Sequence, residues 1–215
     1  MMLERARVAV VALLFALPAG SAACTSTANV DDAFMALDPE GNRKRNVFFT
    51  DSVAIVCVAE FASSRTDVTL NLKLHQLSRY DFATNQNVAF DSYPTEIELA
   101  PGVSARGKQA LELVKVDATG KPDDRLPFGA GDYQCEISLD GQKQKTVKFS
   151  ILFPPCPDTR ITNGTACLGF YKVDNQCPEL GAGSTNPATC TCKATAGPPS
   201  DTNLTGGNWS CDAVQ

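Results

Sequence analysis

A single histidine, His75, stands in 215 residues, and that scarcity removes the two- and three-histidine metal sites at once. The sequence contains no H-E-x-x-H, no G-x-S-x-G and no phosphate-cradling glycine loop. A Ser-His-Asp relay would need His75 oriented by a carboxylate and aimed at a serine, and no spacing suggests one. His75 falls on the polar side of an alternating stretch and reads as a surface residue. Paired acids at Asp31-Asp32 and Asp123-Asp124 lie in loop-like sequence. Solvation, capping or weak calcium binding are their modest options. A glycosidase needs two carboxylates at a set separation across a sugar cleft, which a small β domain hardly accommodates. The expectation is a non-enzyme with no cofactor and no metal.

Two further shortages bear on partners. Lys and Arg number 19 against 24 Asp and Glu. That acidic balance argues against nucleic acid or anionic lipid as a partner. The one basic cluster, Arg43-Lys44-Arg45, reads as a solvated turn before it reads as a phosphate site. No apolar run reaches the roughly twenty residues a spanning helix needs. The longest, "VAVVALLFAL" at 8–17, is about half that length. It follows Arg5 and Arg7 and precedes Pro18, Gly20 and the small residues Ser21-Ala22-Ala23, which makes residues 1–23 a signal peptide with cleavage before Cys24. Removing Arg5, Arg7 and Glu4 with it leaves 17 basic and 23 acidic residues, a formal charge of −6.

Cysteine, by contrast, is plentiful. The nine are Cys24, Cys57, Cys135, Cys156, Cys167, Cys177, Cys190, Cys192 and Cys211, an odd number that asks for one thiol with a separate fate. Cys24 is placed for that role. Ser21-Ala22-Ala23-Cys24 resembles a bacterial lipobox in its two small residues and departs from it at Ser21, where an aliphatic residue is usual. The resemblance implies acylation of Cys24 and, with Thr25 next, an outer-membrane or cell-surface destination. The rival reading is ordinary cleavage at the same place, leaving a free or intermolecular thiol on a freely secreted ligand or inhibitor. Zinc is disfavoured for the six cysteines of 156–211, because the close pair is Cys190-x-Cys192 rather than a C-x2-4-C knuckle and no histidine is near. That pair also lacks the C-x-x-C spacing of redox motifs.

Between residues 46 and 153 the chain reads as short strands separated by Gly, Pro, Asn and Asp. Tyr133, Cys135, Ile137 and Leu139 alternate with Gln134, Glu136, Ser138 and Asp140; Asp140-Gly141 is a hairpin turn; Val147, Phe149, Ile151 and Phe153 form the answering face. Upstream, Val68, Leu70, Leu72 and Leu74 alternate with polar residues. Segments 53–60, 95–99 and 111–116 complete the set. Such spacing without helical patterns predicts an all-β sandwich or barrel. Residues 24–45 are left as a tether or an extra hairpin around Asp38-Pro39-Glu40-Gly41. Tyr80 and Phe82, within 79–87, read equally as exposed loop aromatics or as core.

Gly131-Asp132-Tyr133-Gln134-Cys135 resembles the corner of an immunoglobulin-like or fibronectin III-like domain, where a tyrosine two residues before the second cysteine turns its hydroxyl onto the chain. The resemblance implies an immunoglobulin-like sandwich over 46–153, a structural corner at Tyr133, and a disulfide between the sheets from Cys57, packed among Val53, Ile55 and Ala59, to Cys135. The tryptophan usual on the third strand of that family is missing, so Leu72 or Leu74 must fill its space.

After Pro154-Pro155 the composition shifts to Gly, Thr, Asn and Pro, with six cysteines in 156–211. So small a segment needs disulfides to fold, and fifteen pairings are open to it. Cys156-Pro157, Gly164-x-x-Cys167, Cys190-x-Cys192 and Trp209-x-Cys211 resemble six-cysteine modules of myxobacterial surface proteins. That likeness implies location more than activity. Sequons at Asn163, Asn203 and Asn208 are incidental in a bacterial reading. The sequence as a whole predicts an exported binding or structural module whose partner is a protein or glycan at the cell surface, touching membrane only through a lipid.

Overall fold

The computed structural model describes residues 30–65, 68–99, 105–115, 119, 121–179, 188–194 and 207–212. Residues 1–23, read above as a signal peptide, Cys24 and the sequon at Asn203 lie outside the described residues. Within them the protein is all-β, with eleven strands in three sheets and no helix.

The first sheet joins β1 (Val30–Ala36), β3 (Val56–Arg65) and β6 (Ala105–Glu112) in the order β1-β3-β6, all antiparallel. The second has five strands in the order β2-β8-β7-β4-β5: β2 (Val47–Phe49), β8 (Gln142–Leu152), β7 (Gly131–Leu139), β4 (Leu70–Asp81) and β5 (Gln86–Leu99). Only β2 runs parallel to its neighbour, β8. Strand β7 is central because alternate side chains have somewhere to go: Tyr133, Cys135, Ile137 and Leu139 are buried while Gln134, Glu136 and Ser138 face outward. On β4, Leu70, Leu72 and Leu74 are almost wholly buried in register with Leu139, Ile137 and Cys135. Each such leucine is worth about 1.5–3 kcal/mol of apolar burial. From the first sheet Met35, Cys57, Ala59 and Leu111 meet them in one core. The Cys57–Cys135 disulfide, closing 78 residues, joins β3 to β7 and so pins the two sheets together. The Asp140-Gly141 turn takes positive φ at both residues, +49° and +73°, as the sequence requires.

Several boundaries differ from the sequence reading, each for a packing reason. Within the stretch set aside as tether or hairpin, Val30–Ala36 is a strand of the first sheet, held by the burial of Val30, Phe34, Met35 and Ala36. The following turn folds back over that sheet's outer face. Ala36 bridges Lys44, Gly41 (φ +73°) lies so close to the Phe34 ring that a Cβ would strike it, and the Lys44 ammonium sits 3.4 Å above that ring. Val53 is a correction: it is 91% exposed, because residues 50–55 form a turn and the strand begins only at Val56. Ile55 and Ala59 are buried as expected. The strand read at 111–116 runs instead over Ala105–Glu112, and that at 95–99 extends back to Gln86.

The third sheet, β11-β10-β9, is small: β9 (Gln176–Pro178), β10 (Thr189–Ala194) and β11 (Gly207–Cys211). Its core is mostly sulfur and aromatic: Cys167, Cys177, Cys190 and Cys192 with Leu168, Tyr171 and Trp209. Disulfides Cys156–Cys177, Cys167–Cys192 and Cys190–Cys211 lace it. Cys190 stands opposite Cys211 in the β10–β11 register, so that bond crosses directly between neighbouring strands.

Candidate functional site

The cysteine-rich segment meets the second sheet at two places. At the first, Thr50, fully buried, donates its hydroxyl to the Phe170 carbonyl at 2.7 Å, while its own carbonyl accepts from the Phe128 amide at 2.8 Å. At the second, the β4 end and its turn contribute Tyr80 and Phe82, which pack edge-to-face with each other and with Phe153 at centroid distances of 4.9–5.8 Å. Phe82 also packs against the cysteine-rich core. The residues 79–87 are thus mostly strand, with Asn85 (φ +56°) in the turn, and their aromatics are half-buried.

Beside this aromatic trio opens a cleft of about 330 Å³. Phe90 of β5, Phe128 of the loop before β7, and Tyr80, Phe82 and Phe153 form much of its wall. Gly169 of the cysteine-rich segment completes one side. Among the described residues its charged lining side chains are Arg79 and Lys115, and none is a carboxylate. The Arg79 guanidinium lies 4.4 Å over the Phe90 ring, and the Lys115 ammonium 4.4 Å over Phe128 while donating to the Asp124 carbonyl at 3.4 Å. A third cation, Lys172, sits 5.3 Å over Tyr80 and 5.8 Å over Phe153. Asp51 and Asp81, which feel the charges of Lys115 and Arg79 respectively, are not among the lining residues. Asp81 is occupied with the Ala83 amide and the Thr84 hydroxyl, and those bonds hold its carboxyl below the usual range. Burial raises the Tyr80 hydroxyl, so it stays a neutral donor and acceptor. At the cleft floor Tyr133, 3% exposed, donates to the Gly129 carbonyl at 2.9 Å and stacks on Phe149.

The other sequence candidates fall elsewhere. His75 lies on the outer face of β4, its Nε2 donating to Asp91 at 2.7 Å, its Nδ1 accepting from Gln134 at 3.2 Å, and its ring stacked on Tyr93. Arg43 pairs with Asp38 within the 37–45 turn, and Lys44 reaches back to Asp32 of β1. Asp123 is clasped by the Arg125 guanidinium and amide, which hold its carboxyl down to about 2. Cys190 and Cys192 belong to two different disulfides. The Asn163 side chain accepts from the Cys211 amide at 3.1 Å.

Nothing local in the sequence marks the cleft. Its aromatic and cationic residues, Arg79, Tyr80, Phe82, Phe90, Lys115, Phe128, Tyr133 and Phe153, come from distant parts of the chain, and only the folded sheets bring them together.

No family model matches the sequence, and no curated protein does. Among solved structures the chain is similar to a Pseudomonas fluorescens alkylpurine DNA glycosylase bound to DNA containing an abasic site analogue. That match has 11% identity and a TM-score of 0.25, over 50% of this chain and 28% of that one. A likeness so slight carries no argument about fold or activity.

Proposed function

We propose that the protein is an exported, lipid-anchored bacterial envelope component, a non-enzymatic binding module built on an immunoglobulin-like sandwich with a disulfide-knit companion. The observation that carries the reading is the state of its cysteines. Among the described residues all eight are paired, in four disulfides that belong to an oxidising, extracytoplasmic compartment. Cys24 is thereby left as the odd thiol, at the position where a lipobox places the acylated residue.

The immunoglobulin-like part of the reading draws support from three features. A three-stranded sheet faces a five-stranded one whose first strand pairs parallel with its last, β2 with β8. The disulfide between the sheets comes from β3 and β7. Tyr133, two residues before Cys135, turns its hydroxyl to the carbonyl of Gly129. His75, held by Asp91, Gln134 and Tyr93, fits a surface structural role. A sandwich that holds its turns and clefts on a stapled frame suits recognition of a surface partner.

Detergent phase partitioning of native envelope material tests the anchor. Wild type should enter the detergent phase and Cys24→Ser the aqueous phase. Wild type in the aqueous phase would instead favour the freely secreted ligand.

A further inference from the structure

We propose that the cleft between β5, the 127–130 loop and the cysteine-rich segment is a binding site for a small aromatic anion, a planar apolar body carrying one carboxylate or sulfonate. The inference rests on the reading as a binding module and names the ligand class that the module takes.

Three observations converge on that class. The volume, about 330 Å³, is at the lower end of small-ligand sites and admits one or two fused rings. The wall is aromatic from several directions. Phe90 and Phe128 line it, each with a cation over one face, and the Tyr80, Phe82 and Phe153 trio supplies further ring surface against which a flat ring gains beyond its area burial. Among the described residues the lining charge is of one sign, Arg79 and Lys115, in a chain whose formal charge is −5. Both cations lie over aromatic rings. The Lys115 ammonium, held over the Phe128 ring on the wall of the cleft, is placed to meet an anionic group there. A cationic ligand would meet the same aromatic faces already covered by Arg79, Lys115 and Lys172.

The geometry couples this site to the disulfides. Gly169 lies on the cleft and Lys172 over Tyr80, and both follow closely on Cys167, which is bonded to Cys192.

The test uses the purified exported chain at pH 7 with three probes of one shape: naphthoate, naphthylmethanol and naphthylmethylammonium. Calorimetry gives the affinities, and amide chemical shifts give the location. Naphthoate should bind at least tenfold more tightly than the alcohol, and the ammonium probe more weakly than either, with shifts at Leu113, Lys115, Gly129 and Ala130. Lys115→Gln should lower naphthoate affinity about tenfold, the loss of one charge-assisted contact, while Lys115→Arg keeps it. Equal affinities for the three probes, an inverted charge order, shifts centred elsewhere, or no binding at millimolar concentration would each overturn the proposal. None of these outcomes depends on acylation at Cys24, so failure here leaves the export and anchoring reading intact, and failure of phase partitioning leaves this site intact.

Discussion

Thr50 is the single fully buried polar side chain among the described residues, and replacing it tests how firmly the cysteine-rich segment is tied to the second sheet. Thr50→Val keeps the shape of the side chain but deletes the hydroxyl that donates to the Phe170 carbonyl at 2.7 Å. A neutral hydrogen bond is worth about 0.5–1.5 kcal/mol net, and an acceptor left unpaired in a buried place costs about 1–3 kcal/mol. The expected loss is about 2 kcal/mol, a fall in Tm of about 4–8 °C for a chain of this length. Thr50→Ser keeps the hydroxyl and loses only a buried methyl, about 1 kcal/mol. The serine variant should therefore be the more stable of the two in urea unfolding. Hydrogen exchange localises the effect. The Tyr171 amide, bonded to the Cys167 carbonyl at 2.8 Å, should exchange faster in Thr50→Val, while amides of β7 change less. A valine variant as stable as wild type, or more stable than the serine variant, would refute the assignment of the Thr50–Phe170 bond as the tie.

Other substitutions probe other links. Gly131 has φ +153°, and a Cβ there would overlap the Ser78 carbonyl, so Gly131→Ala should cost about 3 kcal/mol or more in denaturant unfolding. Tyr133→Phe removes the hydroxyl on Gly129 and should cost about 1–2 kcal/mol, with the Cys57–Cys135 bond retained in a peptide map. Replacing Cys57 and Cys135 together by alanine releases a 78-residue loop and should lower stability by about 4 kcal/mol in the chain-entropy model. In alkali, burial, with help from Asp51 and Asp158, pushes the Tyr171 hydroxyl up to about 12. The fold favours its neutral form, so that contribution is whole below about pH 10 and is lost as pH rises through 10 to 12. Absorbance titration should show Tyr171 ionising above the ordinary tyrosine range, and Tyr171→Phe should flatten stability across that window.

How far the chain could be read by eye follows from where the forces lie. Strands β4, β7 and β8 were legible because each buries every second residue along part of its length: Leu70, Leu72 and Leu74; Tyr133, Cys135 and Ile137; Phe149 and Ile151. The Asp140-Gly141 turn was legible because its two positive φ values demand such residues. Strand β6 was misplaced because Arg106, Lys108 and Gln109 carry no apolar rhythm; its place is set by pairing with β3. Val53 misled because apolar character does not bury a residue in a turn, and it stands 91% exposed. The early half of β5 was missed because its outward positions alternate weakly and its register comes from β4, as in Tyr80 opposite Asn87. The three tail disulfides obey a rule no local pattern contains: Cys190 faces both Cys177 and Cys211 across β10, and it bonds the latter. The cleft is further still from local sequence, since Phe90, Phe128 and Phe153 share it only after two sheets have closed.

The account stands or falls on its cysteines, and non-reducing peptide mapping of the exported protein measures them directly. It predicts four cross-linked peptides joining Cys57 to Cys135, Cys156 to Cys177, Cys167 to Cys192 and Cys190 to Cys211, with an intact mass gain of about eight hydrogens on reduction. A gain of six or fewer, or a peptide pairing Cys57 or Cys135 with a cysteine of the 156–211 segment, would contradict both the staple between the two larger sheets and the separate lacing of the third.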